Sequence, residues 1–265
     1  LKTSQIRDLS SAQVAALTTQ QLTSFGGNQI AAIETGDLAA MRAAQITTFS
    51  NAQIQALTTD QVVGLSNTQF VVLTTDQVSA FTNDQLKAIE TRDLVALKTQ
   101  QLGAWTGDQI AVLTTGQIAA MTFGQVASLS ATQINGLTTD QVQAMNSGQL
   151  ASLTSTQVQA LSANQIIAIE TADFAALRAT QISAFTGDQI QNLTTDQVVA
   201  LTSTQMGYLT TDQLGAFTTA QVVTIETGDL RALRSGQIRA LTNDHIIALT
   251  NDQASALTAA QVSAL

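Results

Sequence analysis

The 265-residue sequence predicts an all-α fold: a superhelical solenoid of very short helices, one per octapeptide, with about 3.4 octads in each superhelical turn. Three observations predict it. The chain divides into 33 octads plus one residue, without an insertion or deletion. Positions 1 and 6 of every octad are apolar. Thr or Ser at position 2 is followed three residues later by Gln, which marks a helix N-terminus.

The octad Leu57-Thr58-Thr59-Asp60-Gln61-Val62-Val63-Gly64 shows the frame. Position 1 holds 20 Leu, five Phe, four Ile, three Met and Trp105. Position 5 is Gln in 28 octads, Asp in four and His in one; position 8 is small in 28. In a capping box the position-2 hydroxyl accepts the N3 amide, and the Gln side chain accepts the N-cap amide. Positions 1 and 6 are then N′ and N4, the partners of a hydrophobic staple. Ten of the 15 Asp lie at position 4 and four at position 5, where anions complement the helix N-terminal dipole. Most of the net charge of −9 therefore has a local structural cause.

A single long helix fails, because eight residues advance about 80° beyond two turns and the apolar stripe would spiral away. A flat strand fails because positions 1 and 6 would face opposite sides. A β-solenoid is the remaining alternative, since Thr and Val suit strands and Gln can ladder. The capping frame, the Ala and Leu content and the lack of Gly at a fixed corner favour helices over positions 3–8, with a corner at positions 1–2. Ala at position 8 is expected to permit the close approach such a corner needs. One octad buries too little to fold alone, so neighbouring coils must share the core. No linker or change of composition interrupts the array, and residues 1–265 read as a single repeat domain.

A longer period lies inside the octads. Four read Ile-Glu-Thr-x-Asp, beginning at Ile33, Ile89, Ile169 and Ile225, and they contain every Glu in the chain. Each is followed, at position 2 of the next octad, by a base. The pairs are Glu34 with Arg42, Glu90 with Lys98, Glu170 with Arg178, and Glu226 with Arg234. The four octads are separated by 7, 10 and 7, so the chain is nearly two copies of a 136-residue, 17-octad unit. Spacings of 7 and 10 both approach whole turns at about 3.4 octads per turn, or about 27 residues. The position-1 aromatics Phe25, Phe49, Phe81, Trp105, Phe185 and Phe217 fall on one sector of that period. The eight charged residues are the candidate functional stripe. They form either ion pairs within the chain, worth roughly 0–1 kcal/mol each where exposed, or a stripe that sets register between copies, because charges specify partners more than they add affinity.

Other chemistries have little to stand on. There is no Cys and one His, so neither a thiolate nor a His-rich metal site is expected, and no cofactor is implied. His245 takes the place of Gln at position 5 and reads as a capping substitute. The carboxylates recur one per helix start, without the paired geometry of an acid–base couple, and the expectation is that the chain is not an enzyme. With 10 Lys and Arg against 19 Asp and Glu, a nucleic-acid partner is not expected. No apolar run approaches a membrane span. No secretory leader opens the chain, so it reads as a mature product or an excised fragment.

Runs such as Leu193-Thr194-Thr195-Asp196-Gln197-Val198-Val199-Ala200 resemble the Leu-Thr-x-x-Gln-Ile/Val-x-Ala octad arrays of large bacterial surface or secreted adhesin-like proteins. The resemblance spans the whole chain and implies an extended, extracellular role, with no catalytic residue to carry over. Uniformity points the same way: a structural rod, filament subunit or adhesin stalk that associates with itself, end to end or laterally. The alternative is a solenoid whose Thr array binds ice or a glycan. Most position-2 hydroxyls are expected to be committed to caps.

Overall fold

The computed structural model describes residues 1–265 and contains 33 helices of four to six residues and no strand. The β-solenoid alternative is thereby excluded. The helices, α1 to α33 in chain order, fall one to an octad. Two compact units result. The first, Leu1–Gly136, runs from α1 (Thr3–Arg7) to α17 (Ala131–Gly136). The second, Leu137–Leu265, runs from α18 (Thr139–Gln143) to α33 (Ala259–Val262) and begins where the second 136-residue copy begins. No helix is long and apolar enough to cross a membrane.

Helix α8 (Thr59–Gly64) shows how one octad folds in the first unit. Thr58 is extended at φ −72°, ψ 161°, and its hydroxyl accepts the Gln61 amide at 3.1 Å. The Gln61 side-chain oxygen accepts the Thr58 amide at 2.9 Å. Both halves of the capping box are therefore made. The Val62 amide donates to the Thr58 carbonyl at 3.0 Å, and the Leu65 amide to the Val62 carbonyl at 3.2 Å, which ends the helix. The corner is two extended residues, Leu65 (φ −64°, ψ 139°) and Ser66 (φ −83°, ψ 157°). No residue of the chain has a positive φ, so the corner needs no glycine.

The Gln side chain also ties one turn to the turn before it. The Gln61 Nε2 donates to the carbonyls of Ile30, at 2.9 Å, and Ile33, at 2.7 Å, which lie 31 and 28 residues earlier. Gln85 does the same to Ile54 and Leu57, and Gln101 to Phe70 and Leu73. These reaches lie between three and four octads, as the predicted turn of about 3.4 requires. Accordingly α8 packs on α5 (Thr35–Ala39) and α11 (Asn83–Ala88), and α12 (Thr91–Ala96) on α9 (Asn67–Val72) and α15 (Thr115–Ala120). The rung needs a preceding turn, so Gln5, Gln13 and Gln21 show only the cap half. In the second unit Gln197 reaches Ile166 and Ile169, and Gln221 reaches Ile190 and Leu193, at 2.7–3.0 Å.

Positions 1 and 6 form the core, from Ile6 and Val14 through Leu230 and Leu233. Phe70 stacks on Phe81 at 6.3 Å between ring centres, and Phe174 on Phe185 at 6.0 Å. Trp105 makes a local exception to the rungs. Its indole N–H takes the Val78 carbonyl at 2.8 Å, and the Gln109 amide moves to the Ser79 carbonyl at 2.9 Å.

Position 8 also bears on the packing between turns. At Gly64 and Gly136 it faces position 3 of the turn before. A Cβ on Gly64 would strike the Thr35 side chain. One on Gly136 would lie 2.7 Å from the Gly107 carbonyl oxygen, and one on Gly27 2.9 Å from the Ala56 Cβ. At these three places helices of adjacent turns approach closely enough that a larger side chain would have to displace its neighbour.

Two predictions follow from these contacts. Gln85→Met keeps the volume but removes four hydrogen bonds and leaves buried carbonyls unpaired, so urea unfolding followed through Trp105 will show a loss of roughly 2–4 kcal/mol. Gly136→Ala will lose about 1–3 kcal/mol by overpacking, whereas Gly36→Ala, whose Cβ meets nothing within 4 Å, will gain about 0.5–1 kcal/mol.

Candidate functional site

The four Ile-Glu-Thr-x-Asp octads are the places where the rungs change. Glu34, Glu90, Glu170 and Glu226 are N-caps in extended backbone, with φ from −68° to −62°, and none accepts a helix amide through its side chain. The Asp at position 5 is one methylene shorter than Gln and carries no N–H, so it cannot donate to the turn before. In three octads the direction of the bond is reversed. Ser11 donates to Asp37 at 2.6 Å, Ser203 to Asp229 at 2.5 Å, and Ser147 to Asp173, each Ser lying 26 residues earlier.

The fourth octad differs. The residue 26 positions before Asp93 is Asn67, which is exposed. Asp93 is fully buried, and neither carboxylate oxygen has a hydrogen-bond partner. The Arg92 Nε lies 3.6 Å from Asp93 Oδ2, while its terminal nitrogen lies 2.6 Å from Glu90 Oε2. Burial raises the Asp93 pKa above the ordinary carboxylate value and outweighs the opposing pull of Arg92.

Arg42, Lys98, Arg178 and Arg234 are all exposed N-caps. None pairs with the Glu of the octad before it; the ion pairs formed are those of Arg92 with Glu90 and Asp93. Arg178 instead donates to the Leu153 carbonyl at 3.0 Å. The backbone amides of the four bases still go to the Gln oxygen three residues on, as in Lys98 to Gln101 at 2.7 Å. The structure thus brings the eight residues to the surface one octad apart without joining them.

Open grooves flank three of the Glu corners, each closed on its far side by an N-cap Thr from three octads later. Glu34 faces Thr58 and Asp60 across ≈ 430 Å³, Glu90 faces Thr114 across ≈ 460 Å³, and Glu170 faces Thr194 and Asp196 across ≈ 340 Å³. Their charges differ: Arg7 lines the first, Lys87 and Arg92 the second, and no base the third. No common ligand chemistry runs through them.

His245 behaves as a Gln. Its Nδ1 accepts the Thr242 amide at 3.3 Å, and its Nε2 lies 2.7 Å from the Phe217 carbonyl, 28 residues back. The donor half of the rung was missed in the sequence, although a signal was present. A capping box accepts Glu as readily as Gln, yet no octad has Glu at position 5. The amide nitrogen is the reason.

The model of the ALTTAQ repeat matches residues 30–67, 86–123, 166–203 and 222–259, more than half of the chain. The chain belongs to the ALTTAQ repeat family. Each matched segment starts three residues before the Ile of an Ile-Glu-Thr-x-Asp octad, so the ALTTAQ register coincides with the four altered rungs. No curated protein matches the chain.

Ser203→Ala will leave the buried Asp229 carboxylate without its donor, and chemical unfolding will show a loss of about 1–3 kcal/mol. His245→Gln restores the common rung and will leave stability unchanged or raised in the same measurement.

Proposed function

We propose that this ALTTAQ repeat protein is structural rather than catalytic. It serves as a rigid extracellular rod, filament subunit or adhesin stalk of a bacterial surface or secreted protein, and it associates with copies of itself end to end or laterally. The observation that carries this reading is the recurrence of one Gln rung along both units, replaced by Asp at four corners that follow the second-order spacing. A chain built around one ligand pocket would concentrate its departures at one place.

Self-association draws support from the surface. Glu34, Glu170 and Glu226 and the four bases are exposed and not ion-paired within the chain, so they are available to a neighbouring copy. In the second unit Ile167, Val199, Val223 and Ile247, all at position 7, are also exposed. Gln197 and the packing of α25 (Thr195–Val199), α28 (Thr219–Val222) and α31 (Asn243–Ala248) carry these four along successive turns. The Thr-array alternative loses position-2 hydroxyls to the caps, as at Thr58, Thr74 and Thr194.

Sedimentation and small-angle scattering of the 265-residue chain test the proposal. The mass is expected to rise with concentration and fall with added salt. Replacing Glu34, Glu90, Glu170 and Glu226 by Gln together is expected to weaken association, because rim charges set specificity and encounter. A monomer at every concentration by electron microscopy and sedimentation would rule out the self-associating filament.

A further inference from the structure

We propose that octad 12 is an acid-responsive rung: on taking up a proton, Asp93 gains the O–H donor that the backbone acceptors of the preceding turn require, and the first unit tightens. The inference does not depend on the extracellular or filament role.

The register supplies the acceptors. Position-5 Gln side chains in the first unit donate to carbonyls 31 and 28 residues back, as Gln61 does to Ile30 and Ile33. For Asp93 those register positions are Val62 and Leu65. A carboxylate offers only acceptors, so in its charged form it cannot make this rung; a carboxylic acid has one donor and can. In octads 5, 22 and 29 a Ser hydroxyl of the preceding turn donates to the Asp carboxylate. At octad 12 Asn67 makes no such bond, and both Asp93 oxygens are buried and without a hydrogen-bond partner.

The charged groups around Asp93 are few. On its own segment they are Arg92, whose side chain is 63% exposed and turned towards Glu90, and Glu90 itself. The two helices packed against α12, namely α9 and α15, carry no titratable side chain. Neither of these helices therefore compensates the buried charge. The sign follows from linkage. A carboxyl whose pKa is higher folded than unfolded lends stability that is complete below the unfolded value and lost as the pH rises through the folded one.

Trp105, the single Trp, is buried in the first unit and reports its melting in the full chain. As the pH falls from neutral towards the ordinary carboxylate range, the Trp105 melting temperature is expected to rise in the wild type by roughly 2–4 °C more than in Asp93→Asn. Asp93→Asn carries an amide donor at every pH and should start higher at neutral pH. Asn67→Ser should lend the charged Asp93 the hydroxyl its three counterparts have, and so flatten the wild-type dependence. A carbon-13 titration of the Asp93 carboxyl is expected to have its midpoint above the ordinary carboxylate range, and lower in Asn67→Ser. A midpoint in the ordinary range, or an Asp93→Asn melt with the full wild-type pH dependence, overturns the proposal.

Discussion

Both units rest on the three hydrogen bonds made by a buried Gln side chain. Its oxygen starts a helix by taking the N-cap amide, and its nitrogen closes the superhelix by giving to two carbonyls of the turn before. Local and non-local order are thereby made by one residue. Burying so polar a group is tolerable only because every donor and acceptor on it is used. Gln149, Gln69 and Gln197 are at most 1% exposed, deeper than many of the apolar side chains beside them. The apolar positions supply the drive to collapse, and the amide decides the register in which the collapse occurs.

Much of this was legible in the sequence because the code is local. Thr58 and Gln61 announce a capping box, Leu57 and Val62 a staple, and the spacing of Glu34, Glu90, Glu170 and Glu226 leads to a turn of between three and four octads. What lies between turns was harder to read. Position 8 had to be small, but the residue it faces, 29 positions earlier, is visible only once the superhelix is wound, as Gly64 over Thr35 shows. The same holds for Ser11 and Asp37, 26 residues apart and unremarkable as a pair until the rung between them is known to be missing a donor.

The acidic corners also show why a charge pattern does not determine pairing. Glu34 and Arg42 follow one another as regularly as any pair in the chain, yet both are exposed N-caps and no ion pair forms between them. In exposed positions such pairing yields little net free energy, so geometry is not obliged to satisfy it. The neighbouring Asp residues are buried or, at Asp173, half-buried, where leaving a charge unmatched is costly, and three of the four have a serine to match.

The reach of the rungs bounds the damage that a copying error in the repeats can do. Since each Gln engages carbonyls no more than 31 residues back, an added or lost residue is felt only by the rungs that span it, about four of them. Beyond that span the frame resumes. Loss or gain of a whole octad leaves the Gln rungs in register, because their partners are backbone carbonyls at a fixed offset, and it disturbs only the Ser–Asp rungs, whose partners are defined by identity. A gene encoding such a chain can therefore lengthen or shorten by recombination among its own near-identical segments, and the product still knows how to wind.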